Sequence, residues 1–100
     1  MAAVIASVRA IAIRLTDERW AHIVDEHAEL DGMEAAVLEA VGNPERIVMG
    51  ADGELLASRL IEPGKWLITV YREHVDDGFV ITAFTTRRIG ALLRRKQVWP

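Results

Sequence analysis

Two histidines near the start of the chain are the residues best suited to acid–base chemistry. His22 and His27 lie in residues 17–28, where apolar side chains recur at helical spacing. Five positions on a helix span about 140°, so a regular helix cannot aim both imidazoles at one metal ion. His27 falls within the apolar stripe, either as a hydrogen-bonded core residue or as a partly buried general acid or base. His22 lies on the far side of that stripe, as an exposed polar residue or as a second acid–base group.

Cationic and hydroxyl side chains further along the chain could hold a phosphate group. Arg59 is spaced at two-residue intervals from Ala57 and Ile61, which places a guanidinium on an otherwise apolar face of a predicted strand. Lys65 is a second cation, at the start of the next predicted strand. Four further candidates lie in or directly after the last predicted strand: Thr82, Thr85, Arg87 and Arg88. Threonine is also an ordinary strand residue, and the two arginines either precede a helix that begins later or serve a ligand.

Most other signatures of a catalytic or cofactor site are missing from the sequence. It has no cysteine, which excludes thiolate zinc sites and cysteine nucleophiles. It has no glycine-rich phosphate loop, and no serine lies in a nucleophile elbow. A metal-dependent hydrolase using His22, His27 and His74 is the weakest of our hypotheses, because these histidines lack the spacing of a metal-binding motif. We therefore expect neither a metal nor another cofactor.

Two helices that would position the histidines are predicted from capping residues and hydrophobic spacing. Thr16 has the position of an N-cap, which predicts a helix over residues 17–28. Asp31, with Glu34 three residues later, has the pattern of a capping box and predicts the start of a second helix. The Gly-Asn-Pro sequence at residues 42–44 predicts where that second helix ends.

The predicted strands follow from two-residue hydrophobic alternation. Five strands are expected, at residues 11–15, 46–49, 54–61, 65–73 and 79–85. Asp-Gly at 52–53 and 77–78, and Pro-Gly at 63–64, predict tight turns that join the last four strands in series. Residues 90–97 predict a short helix whose end carries three cations, which either complement the helix dipole or contact phosphate: Arg94, Arg95 and Lys96.

Together these elements predict a single α+β domain over residues 1–100. A short N-terminal strand and two helices pack on a four-stranded antiparallel meander, and a short C-terminal helix follows. The 100 residues, 51% of them hydrophobic, are sufficient for one core and exclude disorder. The inward face of the last strand is ambiguous because both of its sides are apolar, one with Val80 and Phe84 and the other with Ile81 and Ala83.

The net charge of −3 is unevenly distributed along the chain. Residues 17–62 carry twelve acidic side chains against three arginines, whereas residues 63–100 carry seven basic against three acidic side chains. The overall acidity disfavours non-specific nucleic-acid binding, but a local basic surface would still bind RNA. No segment approaches the roughly 18 apolar residues of a membrane span, and no signal-peptide pattern is present. We therefore expect a cytoplasmic protein without membrane contact.

Four short motifs support a family resemblance. They are His22-Ile23, the His-Ala-Glu-Leu sequence at 27–30, Asn43-Pro44, and the Ile-Thr-Ala-Phe-Thr-Thr sequence at 81–86. With two helices preceding a meander, this pattern resembles the phage-associated nuclease families of the barnase–EndoU–colicin–RelE-like superfamily. The resemblance covers about residues 15–88. It departs from the family pattern at Ala28, where proline is frequent, and in the acidic net charge.

The resemblance implies a metal-independent RNase, often a toxin or mobile-element effector, in which the RNA 2′-hydroxyl attacks the adjacent phosphate. Such chemistry needs a base, an acid and donors for the developing phosphorane charge. Carried over to this sequence, it implies acid–base roles for His22 and His27, orienting roles for Thr82 and Thr85, and a strand cation, first Arg59 and then Lys65. The alternative is a catalytically inactive relative that binds RNA, a protein partner or a second copy of the chain.

Overall fold

The structure, a computed structural model, describes residues 2–100 as one mixed sheet with helices packed on it. The strands are β1 (Ala2–Ala6), β2 (Ala12–Thr16), β3 (Arg46–Met49), β4 (Leu55–Glu62), β5 (Lys65–Glu73), β6 (Asp77–Thr86) and β7 (Gln97–Trp99). The helices are α1 (Asp17–Glu26), α2 (Glu34–Gly42) and α3 (Gly90–Leu93), with a 3₁₀ turn at Ala28–Leu30. The strand order is β1-β2-β6-β5-β4-β3-β7.

The predicted α+β class is confirmed, but the sheet is larger than the predicted four-stranded antiparallel meander and is partly parallel. The sheet has seven strands, and β2 runs parallel to β6 while the other neighbouring pairs are antiparallel. The two unpredicted strands are those at the edges, β1 and β7. The helix predicted over residues 90–97 forms only at Gly90–Leu93. β7 follows because the segment after α3 pairs with β3, and Met49 N–H donates to the Lys96 carbonyl over 2.9 Å.

The first helix begins as predicted, whereas the second begins later than predicted. Thr16 caps α1, since its hydroxyl accepts a hydrogen bond from the Arg19 N–H over 3.1 Å. Asp31 does not cap α2. That helix starts at Glu34 behind Met33, which makes no side-chain cap. The chain between the two helices is instead occupied by the 3₁₀ turn, so the predicted capping box does not form.

One face of the sheet packs against α1 and α2 and holds the main core. Leu67, Thr69 and Tyr71 of β5 are buried on this face, and the Thr69 hydroxyl donates to the Val37 carbonyl of α2 over 2.9 Å. The core cluster joins strands and helices: Ile13, Leu15, Ile23, Leu30, Val37, Ala40, Val41, Ile47, Ala57, Leu67, Tyr71, Val80 and Ala83. We call this side of the sheet the helix face.

A bulge in β6 resolves the ambiguity of that strand. Val70 pairs with Thr82 and Tyr71 pairs with Val80, so Ile81 is an extra residue without a partner on β5. A one-residue insertion reverses the alternation of side chains. Val80 and Ala83 therefore both lie in the core of the helix face, although their spacing of three is wrong for a regular strand.

The segment after β6 crosses the opposite side of the sheet, which we call the far face. Ile89 and Leu93 line one cavity of about 330 Å³ together with Ser58 and Trp66, which alternate with the core residues of β4 and β5. From there the chain reaches β3 to form β7. This segment explains why far-face residues such as Ile68 are buried even though α1 and α2 lie on the other side.

A buried carboxylate ties the β1–β2 loop to the end of β5. The Ser7 hydroxyl donates to Glu73, and Arg9 Nε lies 3.0 Å from the same carboxylate, whose side chain is 4% exposed. Tyr71 lies on the same strand, is 1% exposed, and shares with Glu73 the wall of a cavity of about 70 Å³. Burial raises the pKa of Tyr71, and the charge of Glu73 raises it further, while Arg9 acts in the opposite direction.

Gly78 is the position where the fold most directly requires the absence of a side chain. Asp77-Gly78 was predicted to form a turn, but Gly78 lies inside β6 between two neighbouring strands. A Cβ there would come within 2.2 Å of the Arg72 carbonyl oxygen and 2.7 Å of Ile13 Cδ1. We expect Gly78→Ala to lower the free energy of unfolding by about 3 kcal/mol, at the upper end of overpacking costs.

Gly90 provides the matched control for that substitution. A Cβ at Gly90 meets no atom within 4 Å and would extend the side-chain surface of α3. Gly90→Ala should therefore leave stability unchanged or raise it slightly, because alanine favours the helix by up to about 1 kcal/mol. Urea unfolding of both variants checks this, and equal effects at the two positions would contradict the strand packing described around Gly78.

Tyr71 is the only tyrosine of the chain, so its ionisation can be followed by ultraviolet absorbance. Because its pKa is raised in the folded state, Tyr71 stays neutral while the unfolded chain ionises above pH ~10. Stability is thus unaffected below that pH and should fall by about 1.4 kcal/mol per pH unit above it. Tyr71→Phe should remove this part of the slope. Ionisation of Tyr71 near pH ~10 in protein that is still folded would contradict its burial.

Candidate functional site

A glutamate, a histidine and a threonine meet where the end of α1 lies against β6. The Thr85 hydroxyl donates to Glu29 Oε2 over 3.4 Å, and the same oxygen lies 3.9 Å from His27 Nδ1. The His27 ring also lies against that of Phe84, with 6.3 Å between the ring centroids. The side chains of His27 and Glu29 are 34% and 44% exposed, so a ligand can reach both. We call Glu29, His27 and Thr85 the Glu29 cluster.

The early end of α1 is what places His27 and Glu29 on the same side. His27 was predicted inside the helix but is its C-cap, with φ −132° and ψ 74°, and its N–H still donates to the Ile23 carbonyl over 2.7 Å. The chain then enters the 3₁₀ turn, which is anchored by the fully buried Leu30. Because this turn is anchored in the core, Glu29 is held beside β6 while its carboxylate stays accessible.

Arg59 lies in the same row of the helix face as Thr85. Arg59 pairs with Leu67, and Leu67 pairs with Thr85, so the three residues are adjacent across β4, β5 and β6. Directly opposed residues share a face. Two strand spacings separate the Cα atoms of Arg59 and Thr85 by about 10 Å. Leu67 lies between them and is fully buried in the core, so Arg59 and the Glu29 cluster do not line one open groove over β5.

The Arg59 side chain also has a structural partner at the end of α2. Its Nη1 donates to the Asn43 carbonyl, and its Nη2 lies 3.8 Å from Glu39 Oε1. A cation at this position satisfies a free carbonyl at the helix C-terminus and complements the helix dipole. The guanidinium has five N–H donors and is 33% exposed on its side chain, so these contacts leave donors for a ligand.

Three predicted substrate-binding cations lie at the end of the sheet that carries the Glu29 cluster. Lys65 begins β5 directly after the turn, and its pairing partner on β4 is Glu62. Arg87 and Arg88 follow the last residue of β6, and Arg87 Nη2 lies 2.8 Å from Glu62 Oε1. Of the two alternatives for these arginines, the later helix start is observed, because α3 begins at Gly90. This end of the sheet therefore combines three cations with the Glu29 cluster.

His22 is not brought to the Glu29 cluster. His22 Nε2 lies 2.8 Å from Glu26 Oε1 on the next turn of α1, and both side chains are more than half exposed. Its surroundings form an open surface cleft of about 350 Å³ lined by Thr16, Glu18, Arg19 and His22. The two predicted catalytic histidines therefore face separate regions of the surface.

Thr82 and His74 are also separated from the cluster. Thr82 pairs with Val70 and lies on the far face, because the bulge at Ile81 reverses the side-chain alternation along β6. His74 follows β5 at the end opposite to Lys65, with its ring centroid 5.9 Å from that of Phe79. Within residues 2–100, no group of three or more histidine, aspartate or glutamate side chains could hold a metal ion.

Glu29 is the residue that sequence analysis did not select. It belongs to the His-Ala-Glu-Leu motif, but neither its spacing nor the family resemblance indicates a role for it. The signal that could have selected it is its contact with Thr85, which lies 56 positions away along the chain. Local patterns do not encode such a contact.

Comparisons with protein-family models, curated proteins and solved structures found no match to this chain. None of the helices in the described part of the chain is both long and apolar enough to cross a lipid bilayer. The case for a function therefore depends on the geometry of the site itself.

The N-cap of α1 can be tested by substitution, because this helix carries His27 at its other end. Thr16→Ala removes the side-chain oxygen that accepts the Arg19 N–H, and we expect a loss of about 1 kcal/mol in unfolding free energy. Thr16→Ser keeps an oxygen at the same position and should retain most of this stability. Urea unfolding distinguishes the two, and equal losses in both variants would contradict the capping hydrogen bond.

Proposed function

We propose that the chain is a metal-independent endoribonuclease whose acid–base groups are His27 and Glu29. The observation that carries the proposal is that Glu29 Oε2, at an accessible surface, accepts a hydrogen bond from the Thr85 hydroxyl and lies 3.9 Å from the imidazole of His27. Lys65, Arg87 and Arg88 at the same end of the sheet add cations for a phosphate. The resemblance to the phage-associated nucleases supports the same reaction class.

The reaction requires one proton acceptor and one proton donor. The 2′-oxygen of the RNA forms a bond to phosphorus, and its proton passes to the carboxylate of Glu29. The bond between phosphorus and the 5′-oxygen breaks, and the protonated imidazole of His27 gives its proton to that oxygen. The products are a 2′,3′-cyclic phosphate and a 5′-hydroxyl. General acid–base groups of this kind typically contribute about 10²–10⁴-fold in rate.

Hydrogen-bond donors must stabilise the additional negative charge on the pentacoordinate phosphorus. In this proposal Lys65 donates to the phosphoryl oxygens, while the Thr85 hydroxyl orients the Glu29 carboxylate. Arg87 and Arg88 attract the flanking phosphates. The cations matter because the remainder of the surface is acidic, with an excess of negative charge over residues 17–62.

Cleavage of a labelled single-stranded RNA in the presence of EDTA tests this proposal. We expect His27→Ala and Glu29→Gln each to reduce the cleavage rate by at least about 100-fold, because each removes one proton-transfer group. Thr85→Val should cause a smaller loss. Fragments must carry a 2′,3′-cyclic phosphate, and an RNA with 2′-deoxyribose at the cleaved position must be resistant.

Two histidine variants serve as controls for the same assay. His74→Ala removes an exposed imidazole from the opposite end of β5 and should leave cleavage unchanged. His22→Ala distinguishes the two candidate histidines, because a loss equal to that of His27→Ala would move the acid–base role to the cleft around His22. Failure of purified wild-type protein to cleave any RNA at high concentration would contradict the proposed function.

A further inference from the structure

The C-terminal segment carries a concentration of positive charge, of which the proposed active site uses only Arg87 and Arg88. Residues 87–96 contain five basic side chains and no acidic one: Arg87, Arg88, Arg94, Arg95 and Lys96. All five residues are exposed. We call this segment the basic strap. This local excess of positive charge contrasts with the net charge of −3 of the whole chain.

The basic strap has few partners of opposite charge. Within residues 2–100, Arg87 is its only member in a salt bridge, with Glu62, so four of its cations remain unpaired at that distance. Arg95 also acts on Glu54, but weakly. Backbone N–H groups of Glu54 and Asp52 are the main cause of its lowered pKa, and Arg95 adds a smaller contribution. An ordinary stabilising network of surface ion pairs therefore does not account for these residues.

The backbone of the strap runs diagonally across the far face, with Arg87 and Arg88 at its start and Arg94, Arg95 and Lys96 at its end. It starts at the end of β6 beside Trp66, passes over Ser58 on the far face, and ends where the Lys96 carbonyl accepts the Met49 N–H over 2.9 Å. Three strand spacings and five residues of strand length give a diagonal of about 20 Å. A stacked nucleic-acid strand rises about 3.4 Å per nucleotide, so this line could accompany about six nucleotides.

We infer that the basic strap is a docking track for the phosphate backbone of single-stranded RNA. It begins directly after Thr86, next to the end of the sheet that holds the Glu29 cluster, so an RNA bound along it enters the site beside Arg87 and Arg88. The inference rests on the proposed function in its choice of RNA as the anion. The contacts are to phosphates, and we therefore expect binding to depend little on base sequence.

Fluorescence anisotropy with a labelled, unstructured RNA tests the track independently of cleavage. All proteins carry His27→Ala, so that the RNA stays intact during the measurement. For single strands, log K falls with log salt concentration with a slope of about −0.7 for each phosphate contact. We expect Arg94→Gln/Arg95→Gln to weaken binding and to reduce the magnitude of this slope by about 1.4.

A second pair of substitutions matches the change in net charge. Arg14→Gln/Arg19→Gln also removes two positive charges, but from β2 and α1 rather than from the strap. It should leave the salt slope unchanged. The inference would be overturned by equal salt slopes in the two double variants. It would also be overturned if the protein with an unaltered strap did not bind the RNA. Displacement of RNA by polyglutamate of equal charge would also overturn it, because the track would then serve acidic proteins.

The two proposals fail in different ways. If the strap variant changes the salt slope as expected while no protein cleaves RNA, the docking track stands and the catalytic proposal falls. If cleavage requires His27 and Glu29 while RNA binding is indifferent to the strap, the track is wrong and the catalytic proposal stands.

Discussion

The arrangement of this sheet depends on one extra residue in its central region. Ile81 has no partner on β5, and the resulting bulge shifts the alternation of side chains along β6. Before the bulge Val80 packs in the core, and after it Ala83 packs in the core and Thr85 lies on the same face. Without the bulge, Thr85 would point to the far face and could not meet Glu29. Bulges frequently redirect a side chain, and this one turns Thr85 toward Glu29.

A second constraint is the end of α1, which supplies the other half of the site. The helix stops at Glu26, and the buried Leu30 anchors the turn that follows. Contacts between a helix end and a neighbouring strand are set by core packing, which is stiff compared with a surface loop. The Glu29 cluster is thus assembled by two rigid elements, whereas Arg59 reaches the same row while also satisfying the C-terminus of α2.

Residue types predicted the structure correctly wherever the conformation depends on a single segment of the chain. The α+β class, the N-cap at Thr16 and the glycine turns at Gly53 and Gly64, with φ of 84° and 75°, follow from residue type alone. The edge strands did not follow from it, since β7 exists only because a distant strand accepts it. The turn predicted at Asp77-Gly78 was wrong for a related reason, because Gly78 allows two neighbouring strands to pack closely and does not form a turn.

The site was harder to predict than the fold because its members are joined across the chain. His27, Thr85 and Arg59 were selected by type and do lie on one side of the molecule, but Thr82 was assigned without knowledge of the bulge. The partnership of Glu29 with Thr85 required the tertiary structure.

Whether these groups act as one unit is the central claim, and a double-mutant cycle on RNA cleavage measures it directly. We predict that His27→Ala/Glu29→Gln is about as slow as the slower single variant, because residues that act as a unit are not additive. Losses that multiply, as expected for independent sites, would contradict a shared acid–base centre.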